Sequence, residues 1–354
     1  RSSAASDVYK RQKFFRAYGY FWLVKEFGGV PYISEPYTST EGMYKERLSA
    51  EEVYKKIEAD LLDIVNGDAL PNKTFYENGC YVTRAMAQTL LAQVYLQWAG
   101  APLNGGADYY GKAAQMALKV INDSPHGLIH PNGTTDDLNS AYNVIKTTKE
   151  SAEIIYAKEY NYSDYSVGNS YACRSIGTDA FQWGVFHPGG DVLYNAYLPC
   201  DMLLNSYASN DIRGHEKQFF FKQYTDAEGN THTLNNAGNW AWFDENALIS
   251  GHDGDYNMPV FRFAEVLLIA AEGLARTNHE DNAVGGAKYY LNQVRKRAGL
   301  ADETATGNDL IQSILTERLH ELPLEFKIWD DIRRTRLYPE ASTESGKLKW
   351  TALA

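Results

Sequence analysis

Two stretches of the chain carry the same helical pattern, and a long irregular segment separates them. In the first, Leu91, Ala92 and Tyr95 fall on one side of a helix predicted over 83–99. Ala113 and Ala117 fall on one side of a helix predicted over 108–121, which ends before Pro125. In the second, within 259–299, Leu267, Leu268 and Ala271 are followed by Ala287 and Leu291. Small residues recurring at helical spacing let two antiparallel helices approach closely, so each stretch reads as a helical hairpin. Hairpins that each expose an apolar face must stack to bury it, which makes the chain mainly α.

The hairpins follow a tetratricopeptide-like pattern in degenerate form. Leu91-Ala92-x-x-Tyr95 stands for L-G-x-x-Y with Ala for Gly, and the consensus Trp is absent. Other helices are predicted around them. Phe14, Phe15, Tyr18, Phe21, Trp22 and Val24 cover more than one face of 13–27, which predicts a largely buried helix before Gly28, Gly29 and Pro31 stop it. Ser49 with Glu52 three residues on is a capping box. A last helix over 308–322 breaks at Pro323 and resumes to 336. Short strands are predicted at 153–157 and 217–222, and a loop at 235–243.

One domain in four parts results. Residues 1–12 lack an apolar leader core and join abruptly onto the first helix, so they read as a non-native segment. Residues 13–125 and 259–354 form the N- and C-terminal helical parts. Residues 126–258 form a loop-rich insertion, and long loops in compact proteins usually carry function.

Charge narrows the partners. Asp and Glu number 45 against 34 Lys and Arg, a net charge of −11, which gives no electrostatic reason to bind nucleic acid or an anionic membrane. No apolar run approaches the roughly 18 residues that span a bilayer. Cys80, Cys173 and Cys200 are widely spaced, without metal-ligand spacing, and read as unlinked thiols, although one disulfide stays open.

No catalytic or cofactor motif is present: the sequence holds no G-x-S-x-G, H-E-x-x-H, P-loop or dinucleotide fingerprint. Asp253-x-Asp255-x-Asn257 begins like a calcium loop but lacks the later Gly and Glu, and reads as a solvated turn. Glu317, Glu321, Glu325 and the pair Asp330-Asp331 are acids of the kind glycosidases use. They are interleaved with Arg318, Arg333, Arg334 and Arg336, which predicts an ion-pair network of ionised carboxylates rather than a general acid.

Aromatic residues are the stronger candidates. The chain holds 26 Tyr, 14 Phe and 7 Trp, and many sit in the insertion beside Asn, Asp and Arg. A pyranose offers a C–H face to a ring and hydroxyls to polar neighbours, and stacking a flat ligand on a ring is worth about 1–3 kcal/mol. The candidate binding residues are Phe181, Trp183, Tyr165, Tyr171, Trp240, Trp242, Asn239 and Asp244. For any one ring, packing the insertion against the helices is the competing role.

The sequence also resembles a known family. Phe27-Gly28-Gly29-Val30-Pro31 after Arg16-Ala17, Asp211-Ile212-Arg213, and Arg262 with Ala264-Glu265-Val266 are similar to segments of the SusD/RagB family. So are Leu291-Asn292-x-Val294-Arg295-x-Arg297-Ala298-Gly299 and Glu317-Arg318-x-x-Glu321-Leu322-x-x-Glu325 followed by Asp331-x-Arg333-Arg334. These motifs recur in the family's order over residues 13–338. Where the family carries Gly-x-Arg after the last Glu, this chain has Phe326-Lys327-Ile328.

The resemblance implies a SusD-like cell-surface lipoprotein of the outer membrane. Such a protein captures oligosaccharides without catalysis and delivers them to a SusC-like TonB-dependent transporter. It also implies that the chain is a fragment without the native termini and lipid-bearing Cys. Two rivals follow from the residues: a glycoside hydrolase on helical hairpins, and a tetratricopeptide adaptor that binds peptide.

Overall fold

The computed structural model describes residues 3–67, 70–187 and 197–353. The main helices are α1 (Ser3–Phe27), α2 (Ala50–Val65), α3 (Arg84–Ala99) and α4 (Gly106–Asp123). Among the described residues, four short α-helices lie in the insertion: α5 (Ala141–Thr147), α6 (Tyr162–Tyr165), α7 (Asp201–Ser206) and α8 (Glu245–Ser250). The chain ends with α9 (Phe263–Ala275), α10 (Ala287–Arg297), α11 (Gly307–Glu321) and α12 (Ile328–Thr335).

Both expected hairpins form, α3 against α4 and α9 against α10. The stack is continuous across the insertion because α4 packs directly on α9. Gly273 makes that approach possible: a Cβ there would stand 2.5 Å from the Tyr110 carbonyl and 2.9 Å from Ala114 Cβ. Leu91, Val94, Ala113, Ala117, Leu267 and Ala271 are buried in the resulting core. The fold is thus mainly α with tetratricopeptide-like hairpins.

α1 begins earlier than expected. The residues set apart as a foreign segment continue the helix from Ser3, and Lys10 and Lys13 both reach Asp63 on α2. The helix is also less buried than its composition suggests. Phe14, Ala17, Phe21 and Val24 form one buried stripe, whereas Phe15, Trp22 and Leu23 point away from it and remain exposed. The capping box on α2 is present, with Ser49 Oγ accepting from the Glu52 N–H at 3.3 Å and Glu52 accepting from the Ser49 N–H at 2.9 Å.

β1 (Ile154–Lys158) pairs antiparallel with β4 (Met258–Arg262), so the strand expected at 153–157 closes the neck of the insertion. β2 (Phe220–Thr225) pairs with β3 (Thr231–Asn239), and β5 (Leu337–Ala341) with β6 (Leu348–Ala352). The loop expected at 235–243 is therefore half strand. Its poor strand formers are accommodated because Gly238 leaves room for Phe221: a Cβ there would meet the Phe221 ring at 2.6 Å.

The charged motif residues converge inside the protein. Arg213 binds Asp211 and Glu317; Arg262 binds Glu153 and Glu325; Arg297 reaches Glu153 and Glu321; Arg334 binds Glu272 and Asp331. These side chains are nearly all buried, not spread over a helix surface. Glu153, Asp211 and Arg213 belong to the insertion and their partners mostly to the scaffold, so the network fastens one to the other. Arg333 and Arg336 stay outside it: Arg333 pairs with Glu26, and Arg336 is exposed.

Candidate functional site

Asn169 and Asn239 set the site's backbone. Asn169 exchanges two backbone hydrogen bonds with Gly254, and its Oδ1 accepts from the Tyr171 N–H at 3.0 Å. Asn239, at the end of β3, donates its backbone N–H to the Ser175 carbonyl and its Nδ2 to the Tyr197 carbonyl at 2.9 Å. Its own carbonyl accepts from the Trp242 N–H in a tight turn. Asn239 is thus fully buried and positions Tyr197 and Trp242, and its Oδ1 is left without a hydrogen-bond partner among the described residues. Asp244 is likewise engaged within the protein. It caps α8, accepting from the Ala247 N–H at 3.2 Å, and accepts from the Asp255 N–H at 3.0 Å.

The rings so placed form one platform. The Tyr171 and Trp242 centroids are 4.8 Å apart, and Phe326 joins from the α11–α12 link at 5.5 Å from Tyr171 and 5.8 Å from Trp242. Tyr197 stands 6.0 Å from both Tyr171 and Trp242, and the Arg174 guanidinium lies over Tyr171 and Tyr197. Trp242 is nearly sealed and serves as the floor. Tyr171 is half-buried and Phe326 is 39% exposed, so these two rings face outward.

Phe326 has φ +59°, a left-handed conformation rare for a bulky residue. Holding it there costs on the order of 1–2 kcal/mol. This is the position at which the resemblance expects Gly, and the strained backbone is what turns the ring onto the platform. The motif departure was the sequence signal for Phe326. Nothing in the sequence singled out Tyr197, which sits beside the platform only through the fold.

The other expected rings do not meet there. Trp240 stacks on Phe243 at 5.2 Å, carries the Lys146 ammonium 4.1 Å from its centroid, and donates Nε1–H to Asn143. Burial draws Lys146 down to about 7, with Asp244 and Glu245 countering. Trp183 stacks on His232 at 4.7 Å and packs, with Phe181, against the insertion's own apolar cluster. Tyr165 is 76% exposed and stands apart. Trp183, Phe181 and Trp240 are therefore committed to holding the insertion together.

Acids of the α11–α12 region divide. Burial works against ionisation of Glu321, but Arg297, Arg262 and Arg213 hold it below its ordinary value. Glu325 differs from expectation: burial pushes its carboxyl up although Arg262 lies 2.7 Å away, because only one of its oxygens has a partner. Asp255 is taken up by Tyr162 and Ser163. Cys80 and Cys200 are exposed, Cys173 is buried with its Sγ 3.6 Å from the His252 carbonyl, and no disulfide joins them among the described residues.

Fold and platform together define a class: a helical-repeat protein that displays an aromatic surface on an inserted layer. Comparison with known proteins gives the family. A model described as the SusD family matches residues 214–349, and one described as starch-binding associating with outer membrane matches residues 2–96. The SusD-like protein P2 of Formosa agariphila is 27% identical over 355 residues; the match covers 94% of this chain and 66% of that protein. A SusD superfamily crystal structure from Parabacteroides distasonis superposes with a TM-score of 0.83 at 27% identity, covering 99% of this chain and 72% of the other. Surface glycan-binding protein A from Bacteroides thetaiotaomicron, solved with laminarihexaose, shares the fold at a TM-score of 0.65 and 21% identity, covering 92% and 68% of the two chains. The chain belongs to the SusD/RagB family and spans about two thirds of the length of its curated relative.

Proposed function

We propose that the protein binds oligosaccharide or polysaccharide at the cell surface without cleaving it, through the platform of Tyr171, Trp242, Phe326 and Tyr197. The observation that carries this reading is Phe326: a strained backbone keeps an apolar ring exposed over Trp242, where burial would otherwise be favoured. The laminarihexaose complex of the glycan-binding relative and the outer-membrane description of the matching family model support a glycan ligand and an outer-membrane location. In this reading the protein is a surface lipoprotein that passes captured glycan to a SusC-like TonB-dependent transporter. Few rings and a well-hydrated ligand make the affinity weak to moderate.

A glycan-array and affinity-gel screen of the protein, repeated with Tyr171→Ala and Phe326→Gly, tests it. Binding reduced at least fivefold in both variants is expected. Binding untouched by either, or new reducing ends on a retained glycan, contradicts it.

A further inference from the structure

Beside the platform a cavity of about 470 Å³ opens between α1, α3 and the α11–α12 link. Tyr171 and Phe326 line its mouth, and Trp22 and Trp329 stand on its walls, 43% and 58% exposed. Four further wall residues each hold a buried polar atom with no hydrogen-bond partner among the described residues: Gln93 Nε2, Arg318 Nη1, Glu325 Oε2 and Glu265 Oε2, the last with the Lys327 ammonium 3.0 Å away as an ion-pair partner. Buried polar atoms without partners are costly, and their gathering around one cavity calls for an occupant. Two of the four are donors; the other two are carboxyl oxygens that accept when ionised. Five cationic and five anionic side chains line the space, so it selects no net charge.

We propose that this cavity is a binding site for one neutral hexopyranose ring. Hydroxyls both donate and accept, which suits the mixed set of unpartnered atoms, while Trp329 and the face of Trp22 not covered by the Lys25 ammonium offer ring surfaces to the sugar's C–H face. The volume lies within the range of small-molecule sites, about 300–1,000 Å³. Because Tyr171 and Phe326 border both features, the end unit of a glycan enters the cavity while the units that follow lie on the platform. The inference rests on the glycan-binding reading and adds to it that the protein reads a chain end.

Saturation-transfer NMR with glucose, galactose, mannose and N-acetylglucosamine tests this on the whole protein, with Trp329→Ala, Gln93→Leu and Tyr197→Ala as variants. Trp329 is largely exposed, so its loss leaves the fold intact. The expected result is transfer to at least one of the four sugars, reduced at least fivefold by Trp329→Ala and by Gln93→Leu but kept in Tyr197→Ala. No transfer to any of the four, or transfer indifferent to both cavity variants, overturns the proposal and leaves the cavity to water. Laminarihexaose and maltohexaose run alongside separate the two readings. Hexasaccharide binding without monosaccharide binding removes the cavity and keeps the platform. Monosaccharide binding with hexasaccharide binding unmoved by Tyr197→Ala keeps the cavity and removes the platform.

Discussion

Arg262 Nη1 lies 3.0 Å from Glu321 Oε1, joining the last residue of β4, which is also the N-cap of α9, to the final turn of α11. The same guanidinium holds Glu153 at 2.8 Å, on the insertion's side of the neck. One side chain thus fixes where the insertion leaves the helical stack. Breaking a buried pair by removing one partner leaves an uncompensated charge and costs about 3–5 kcal/mol. Arg262→Met is expected to lower stability by that order in urea unfolding, and Glu321→Gln to do likewise. Unchanged midpoints in both would mean that the network carries no weight.

His320 sets an acid limit. Its ring stacks on Tyr207 at 4.3 Å and its Nε2 lies 2.7 Å from Ser206 Oγ. Burial, aided by Arg213, draws its pKa from 6.5 down to about 3. The folded value lies below the unfolded one, so the stabilisation is complete above about pH 6.5 and is lost as pH falls toward 3. Glu321 and Asp211, both held below their ordinary values, add a further loss below about pH 4.5. Tm is expected to decline already between pH 6.5 and 4.5, and His320→Gln to flatten that part of the curve. A flat profile in the parent protein over this interval would contradict the assignment.

Phe326→Gly separates binding from stability. Gly adopts φ near +60° without strain, which offsets much of the packing lost with a ring that is 39% exposed. Tm is expected to move by no more than a few degrees while glycan retention falls at least fivefold. A large drop in Tm with retention intact would make the ring a structural one.

Trp183→Ala and Trp240→Ala are expected to do the reverse. Both rings pack within the insertion, Trp183 on His232 and Trp240 on Phe243, and truncating a partly buried Trp costs about 2–4 kcal/mol. Urea midpoints should fall, while glycan retention at a temperature well below unfolding should stay within twofold of the parent. Retention lost in a folded Trp240→Ala protein would return that ring to the binding surface.

The scaffold was legible because helical spacing is a local property. Leu91, Tyr95, Ala113 and Ala117 declare their shared faces within a few turns, and the α3–α4 hairpin follows. Glu317, Glu321 and Arg334 announced an ion-pair network in the same local way, but that it lies buried depends on Arg213, Arg262 and Arg297 arriving from distant segments. Candidate rings were less legible, because a Trp in a loop has the same signature whether its faces are free or covered. Trp240 is covered by Phe243 and Lys146, and only the fold brings them there. Tyr171 and Trp242 were named from sequence; their partner Phe326 lies far along the chain and showed itself only as a bulky residue where Gly was expected.

Quantitative affinity electrophoresis of the parent protein against Tyr171→Ala and Phe326→Gly, on whichever polysaccharide the array screen returns, bears most directly on the account. Retardation that falls at least fivefold in both variants, with Tm within a few degrees of the parent, is the result expected of an outward-facing ring platform. Retardation equal to the parent's in both folded variants would place the glycan elsewhere and contradict it.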